Sequence, residues 1–573
     1  MSDQLGPDWV AGQYPDADPD ATGEDAWPAP AEPLAVARHL VEVDGLHDDA
    51  GVLTARWWRG SFHLWAGTHW TEAADAAVRA RVYRLLEHAR YWKPDKDGQL
   101  ELVPWAPTRR KVGDLLEALQ AVVHLSEHTD PPAWIEGDQG GEVLAVDNGL
   151  LDLQARKLTE HTPRLFNLTA LPYGYDPAAP PPRRWLRFLR QLWPGDRDSR
   201  RLLQEWFGYL LSGSTRQHKI LLLVGPPRSG KGTIARVLTA LVGRANTAGP
   251  TLASLGTNFG LSPLLGKALA VISDARLGSD TNIVVERLLS ISGEDAITVD
   301  RKYRDPWTGR LPVRFTILSN ELPNLGDASG AVASRFLVLT LTRSWLGEED
   351  PALTEALLEE LPGILLWSLK GLDRLQELGH FTEPATSRDA VMALADLTSP
   401  VGAFVRVACL REAGQEVPVK ELYQAWRQWS KDHGRDRPTT EQVFGRDLRA
   451  VLPGLKVRQP REGEQRHRSY EGVALTPEYA RYMASLREPP PPTESADHNG
   501  SDRVPSRAKP PERGGTRSAP MWSAPDEGWT FDHPHRPCIV CDVPAAPRYR
   551  GEPLHLGCAT ADQQQALQEG SAP

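Results

Sequence analysis

The stretch LLLVGPPRSGKGTIARVL, residues 221–238, decides the fold of this chain. An apolar run feeds directly into Gly225, Pro226, Pro227, Arg228, Ser229, Gly230, Lys231, Gly232 and Thr233, and apolar residues at helical spacing follow. Strand, glycine-rich turn, helix is the setting in which backbone N–H groups, a lysine and a helix N-terminus converge on phosphate. Gly225 and Gly230 permit the tight turn, and Lys231 is placed to reach the β- and γ-phosphates. ATP is therefore the expected cofactor, held by residues 225–233. Gly232 departs from the pattern, because a serine or threonine there usually gives its hydroxyl to Mg²⁺. Either water fills that coordination position or the loop shifts to use Thr233, since Mg²⁺ keeps water ligands readily.

Outward from the loop, an α/β unit takes shape. The helical stretch SRRLLQEWFGYLLSG leads into the first strand, two further apolar strands follow, and helical periodicity returns after residue 350. Residues 196–385 are read as this unit with a helical cap. Ahead of it, residues 34–195 mix short strands with amphipathic helices, including a D-N-G turn between the apolar runs of VLAVDNGLLDL. Residues 1–33, acidic and proline-rich, are expected to be disordered. Behind the cap, residues 398–480 carry three helical stretches and a basic hairpin-like segment, the outline of a winged-helix module for DNA. A Pro/Ser/Gly-rich linker over 484–530 precedes a small tail at 531–565.

Hydrolysis needs an acid at a neighbouring strand end, a polar group facing the γ-phosphate, and a positive charge on the transition state. KALAVISDARLG ends its apolar run in Asp274, suited to Mg²⁺ or its water, with Ala275 in place of a second acid. VRFTILSNELP ends in Asn320, and ASRFLVLTL sets Arg335 before a third strand, where it can serve a neighbouring subunit. Between Asp274 and Asn320, AITVDRKYRDPWTGRLPVRFTIL alternates as two strands around a turn at DPWTG and carries Arg301, Lys302 and Arg304. Such a basic cluster suits nucleic-acid phosphates, with binding that is independent of sequence and sensitive to salt.

This ordered set, together with SISGEDAITVDRKY, resembles the superfamily 3 helicases. NGLLDL, HTPRLFNLTALPYGYDP, LLQEWFGYLLSGSTRQHKILLLVG and ILSNELP look like the phage and plasmid primase-helicase family, which includes poxvirus-type primase-helicases. The resemblance implies an AAA+ type P-loop NTPase core and an ATP-dependent helicase ring, usually hexameric, that unwinds DNA at the origin of a phage, prophage or plasmid-like element. It further implies that Lys231 contacts phosphate, Asp274 holds Mg²⁺, Asn320 senses the γ-phosphate, Arg335 acts in trans, and a hairpin projects a basic residue into the pore. No pair of acidic strands stands out in residues 34–195, so a helicase without its own primase site is expected, with a separate primase or initiator as partner.

The tail contributes its own chemistry. Cys538 and Cys541, thirteen residues, then His555 and Cys558 can close a tetrahedron of three thiolates and one imidazole around Zn²⁺. With four ligands from the protein, that zinc is structural. Four cysteines in 573 residues, three of them in this cluster, fit a reducing cytoplasmic setting better than a disulfide framework. The N-terminus does not read as a signal peptide and no apolar run reaches membrane-spanning length, so a soluble chain is expected. A net charge of −10 confines any nucleic-acid surface to local patches. Two other readings use the same loop: a nucleotide kinase, which leaves Asn320, Arg335 and the hairpin idle, and a nucleotide-gated origin adaptor that marks or melts DNA without translocating.

Overall fold

The computed structural model describes residues 26–135, 141–275, 281–325, 331–435, 438–459, 461–462, 465–466, 468–486 and three short strands beyond. The chain divides into two compact units, residues 1–489 and 490–573. In the second unit the strands Trp529–Phe531, Pro547–Tyr549 and Glu552–Pro553 form an antiparallel sheet. Cys538, Cys541, His555 and Cys558 lie outside the described residues, as do residues 1–25 of the expected N-terminal arm and 487–528 of the expected linker.

Within the first unit, Trp27 and Pro28 belong to the fold. The Trp27 N–H donates to the Arg90 carbonyl at 2.8 Å, its ring meets His39 edge-on at 4.7 Å, and Trp105 donates to the Pro28 carbonyl. Order thus starts before residue 34, because a tryptophan able to bury its ring outweighs an otherwise polar neighbourhood. A first core gathers Val36, Leu40, Phe62, Val82 and Leu115. On it sits the antiparallel sheet β1 (Ala55–Trp58), β2 (Ser61–Trp65) and β3 (Trp70–Glu72). The rest of the expected 34–195 domain behaves differently: Val146, Leu151, Tyr175 and Trp185 share a core with Leu221 and Leu223 of the central sheet.

That central sheet explains the long apolar runs. β4 (Ile220–Val224), β5 (Thr247–Ala248), β6 (Leu269–Ile272), β9 (Arg314–Ser319) and β10 (Phe336–Thr340) pair in parallel in the order β5, β6, β9, β4, β10. The antiparallel hairpin of β7 (Ile297–Arg301) and β8 (Arg304–Gly309) precedes β9 in the chain. Parallel strands covered on both faces show no polar alternation, and Ile220, Leu221, Leu222 and Leu223 are all fully buried. β4 lies between β9 and β10, and the loop that follows it stands at the carboxyl edge, where open α/β sheets take ligands.

The cap is fastened by helix α1 (Arg197–Leu211) against helix α3 (Leu361–Leu378); between them in sequence lies α2 (Lys231–Val242). Two glycines allow the close crossing, since a Cβ on Gly208 would lie 2.5 Å from the Leu372 nitrogen and one on Gly371 would strike the Gln204 carbonyl. Beside this crossing the fully buried Glu205 carboxylate accepts from Arg374 Nε at 2.6 Å, the Thr382 N–H at 2.7 Å and the Thr382 hydroxyl at 2.6 Å. Glu205→Ala removes the counter-charge of Arg374 and leaves the two Thr382 donors without their acceptor, and should cost about 3 kcal/mol, read as a lower denaturant midpoint with an unchanged slope.

Behind the cap, α4 (Pro400–Ala408), α5 (Val419–Asp432) and α6 (Glu441–Val451) pack around Phe404, Leu422, Trp426 and Phe444. The strands Glu416–Pro418, Ser469–Glu471 and Lys456–Arg458 form an antiparallel sheet beside them. Among the described residues no single helix is long and apolar enough to cross a membrane.

Candidate functional site

The loop after β4 turns through two residues with positive φ, Arg228 at +59° and Gly230 at +98°. Glycine takes such angles freely, whereas an arginine pays about 1 kcal/mol for them. A Cβ on Gly230 would sit 3.0 Å from Leu192, and one on Gly225 would meet the Leu341 carbonyl. Gly225 is thus fixed by close approach, and Gly230 by close approach as well as by backbone angle. Because Pro226 and Pro227 lack N–H groups, the loop's donors are those of Arg228 through Gly232, the last two opening α2.

Lys231 is buried at the start of α2. Its Nζ donates to the Gly225 carbonyl at 2.5 Å, the Pro226 carbonyl at 2.8 Å, Ser229 Oγ at 3.3 Å and Asn320 Oδ1 at 3.2 Å. Burial lowers its pKa below the usual lysine value. Two residues chosen from separate sequence motifs therefore meet: Asn320 directly follows β9, the hydrogen-bonded neighbour of β4. Asp274 stands two residues past the end of β6, at the same carboxyl edge, and is exposed.

Nothing in the packing forces glycine at position 232. A Cβ there would meet only Arg236 Nη1, at 3.6 Å, and Gly232 does not have a positive φ. The Thr233 hydroxyl instead accepts a 3.4 Å contact from Arg236, whose Nε also donates to Thr354.

Arg335 lies at the opposite edge. Its carbonyl accepts from the Ile220 N–H at 2.8 Å, where β4 begins, while the loop follows the far end of that strand. Five residues of strand put about 15 Å between the two, farther than an arginine side chain extends. Arg335 therefore does not serve its own loop.

The hairpin differs from its sequence reading. Its turn is Lys302 and Tyr303, and the DPWTG segment expected to turn is strand β8, paired from Ile297↔Gly309 to Arg301↔Arg304. The basic cluster is divided as well. Arg301 is 8 % exposed and donates to Ser61 Oγ and the Arg59 carbonyl, both at 3.2 Å, while Arg304 pairs with Glu72. Trp307 stacks the base of the hairpin on Arg59, whose guanidinium lies 4.5 Å from the Trp58 ring and 5.0 Å from the Trp307 ring. Arg301 and Arg304 thus dock the hairpin on β2 and β3, and Lys302 remains exposed at the tip.

Beside it stands a residue that the sequence reading passed over. Tyr303 is 92 % exposed and holds a φ of +62°, with Lys302 Nζ 5.2 Å from its ring. A bulky residue in the left-handed region with its ring in solvent is a strained arrangement that functional tips often show. The only signal in the sequence is an aromatic among charges.

Residues 54–194 match the family described as "D5 N terminal like", and residues 223–335 match a family of unknown function, DUF5906. The second segment contains Lys231, Asp274, Asn320 and Arg335 together. Among solved structures, the apo NrS-1 C terminal region aligns at 13 % identity and a TM-score of 0.44, over 77 % of this chain and 99 % of that one. Its A form aligns at 12 % identity and 0.39, over 73 % and 97 %.

Proposed function

We propose that this chain is an ATP-driven DNA helicase that works as a ring, in the replication of a phage, prophage or plasmid-like element. The observation that carries the reading is the meeting of Lys231 and Asn320 at the carboxyl edge of a parallel sheet, with Arg335 at the other edge. Lysine and asparagine supply the charge and the polar group that a transferring γ-phosphate requires. An arginine that its own loop cannot use becomes useful when a second copy presents its loop to it, which favours assembly of identical subunits. The match over residues 54–194 agrees with the resemblance to phage and plasmid primase-helicases.

In this reading the N–H groups of residues 228–232 and Lys231 bind the phosphates, and Asn320 orients the attacking water. Asp274 would hold Mg²⁺, whose charge offsets that of the phosphates; water or Thr233 completes the position that Gly232 leaves open. Residues 398–480 serve as the DNA-binding module. The tail is proposed to hold one Zn²⁺ through Cys538, Cys541, His555 and Cys558. Metal analysis of the purified chain should give one zinc per subunit, lost in Cys538→Ser; a metal-free wild type would remove this assignment.

At the hairpin tip, Lys302 and Tyr303 combine the charge and the π-face that hold single-stranded nucleic acid without sequence preference. Tyr303→Ala should weaken single-stranded DNA binding about tenfold or more, at about 1–3 kcal/mol per stacked base. Lys302→Ala should flatten the logarithmic salt dependence by about one unit. Fluorescence titration with an oligonucleotide at several salt concentrations checks both.

The adaptor reading is favoured by one observation, the docking of Arg301 and Arg304 against Glu72, which fixes the hairpin to the N-terminal sheet. Unwinding of a forked duplex distinguishes the two: a motor separates the strands with ATP, whereas an adaptor binds and leaves them paired.

A further inference from the structure

We propose that residues 343–349, which follow β10, form the nucleobase half of the ATP site, with the stacked Arg343–Trp345 pair as its platform. The proposal rests on the reading of the loop as an ATP site. The order of strands gives the site a direction. β4 lies between β9 and β10, and Lys231 reaches Asn320 on the β9 side. In a loop of this kind the lysine attends the β- and γ-phosphates, so the γ end points toward β9 and the nucleoside leaves toward β10.

On that side a short strap is tied to the loop residue by residue. The Leu341 N–H donates to the Val224 carbonyl at 2.7 Å. Ser344 Oγ donates to the Pro227 carbonyl at 2.8 Å, the Trp345 N–H to the Arg228 carbonyl at 3.0 Å, and Arg228 Nε lies 3.4 Å from Glu349. Above these ties the Arg343 guanidinium sits 3.6 Å from the centroid of the half-buried Trp345 ring and 2.9 Å from Glu348. Its side chain remains 56 % exposed.

A planar cation stacked on an indole and left open to solvent presents a flat, polarisable face to a flat, electron-rich base. The ties to Pro227 and Arg228 hold that face in register with the phosphate loop. Base stacking of this sort tolerates every base, so the strap adds affinity for the nucleoside and little selectivity among bases.

The test is competition binding on the full-length chain with two probes, ATP and inorganic tripolyphosphate, which has the phosphates and no base. Trp345→Ala and Arg343→Ala should weaken ATP about tenfold and leave tripolyphosphate unchanged, while Trp345→Phe keeps most of the ATP affinity. Lys231→Ala should weaken both probes. Equal losses for both probes in Trp345→Ala would make the strap a support of the loop and overturn the proposal. Unchanged ATP binding in both alanine variants would overturn it too, with the loop reading intact. A wild type that binds neither probe would remove the ATP reading itself.

Discussion

Lys231→Ala should reduce ATP turnover by at least about a hundred- to a thousandfold while the chain remains folded. The magnitude is that of removing one preorganised donor from a developing oxyanion. Lys231 is a buried cation whose neighbours are uncharged carbonyl, hydroxyl and amide oxygens: Gly225 O, Pro226 O, Ser229 Oγ and Asn320 Oδ1. These contacts cradle the amine without neutralising its charge, so the charge stays available to phosphate. Asn320→Ala tests the same junction from the other side and should lower kcat more than it changes nucleotide affinity, since a group that orients water acts mainly in the transition state. Steady-state hydrolysis alongside thermal melting separates a chemical loss from a folding one. Turnover at the wild-type rate in Lys231→Ala would place the chemistry elsewhere.

Arg335→Ala should be equally severe, at about a thousandfold or more, with nucleotide binding retained. The argument is one of placement. Arg335 flanks the start of β10 and the loop flanks the end of β4, so one chain cannot bring the two together. A second copy can, and this makes the effect separable by mixing. Subunits carrying Arg335→Ala and subunits carrying Lys231→Ala are each inactive alone, yet a mixed ring contains interfaces that pair a sound loop with a sound arginine. Partial recovery of hydrolysis in the mixture is the expected result. A mixture as inactive as its components would assign Arg335 a structural role.

The loop was legible in the sequence because its constraints are local: an apolar strand, glycines where the backbone turns, and a lysine opening a helix. Asn320 was legible for a related reason, since an all-apolar strand that stops at a polar residue marks the carboxyl edge of a parallel sheet. The hairpin turn was misplaced by trusting Pro306 and Gly309 as turn residues. Pro306 has no register partner and falls where the pairing shifts between Val299 and Arg301, a place where a strand tolerates proline, and the turn falls instead on Lys302 and Tyr303, the latter in an angle that residue preferences disfavour. The docking of Arg301 and Arg304 on Glu72 joins positions more than two hundred residues apart, and no periodicity encodes it. The strap was missed because RSWL reads as an ordinary polar connection; only its ties to Pro227 and Arg228 give it meaning. The core that Val146, Tyr175 and Trp185 share with the central sheet is equally long-range, because the partners of their apolar faces lie far along the chain.

The most direct test of the ring-motor account is the ATP hydrolysis rate with and without single-stranded DNA, measured at protein concentrations where light scattering gives the mass of the assembly. The account predicts a multimer whose hydrolysis rises with single-stranded DNA and falls away on dilution to the monomer, as Arg335 loses its neighbouring loop. A monomer that hydrolyses ATP at a rate indifferent to DNA and to dilution would contradict it.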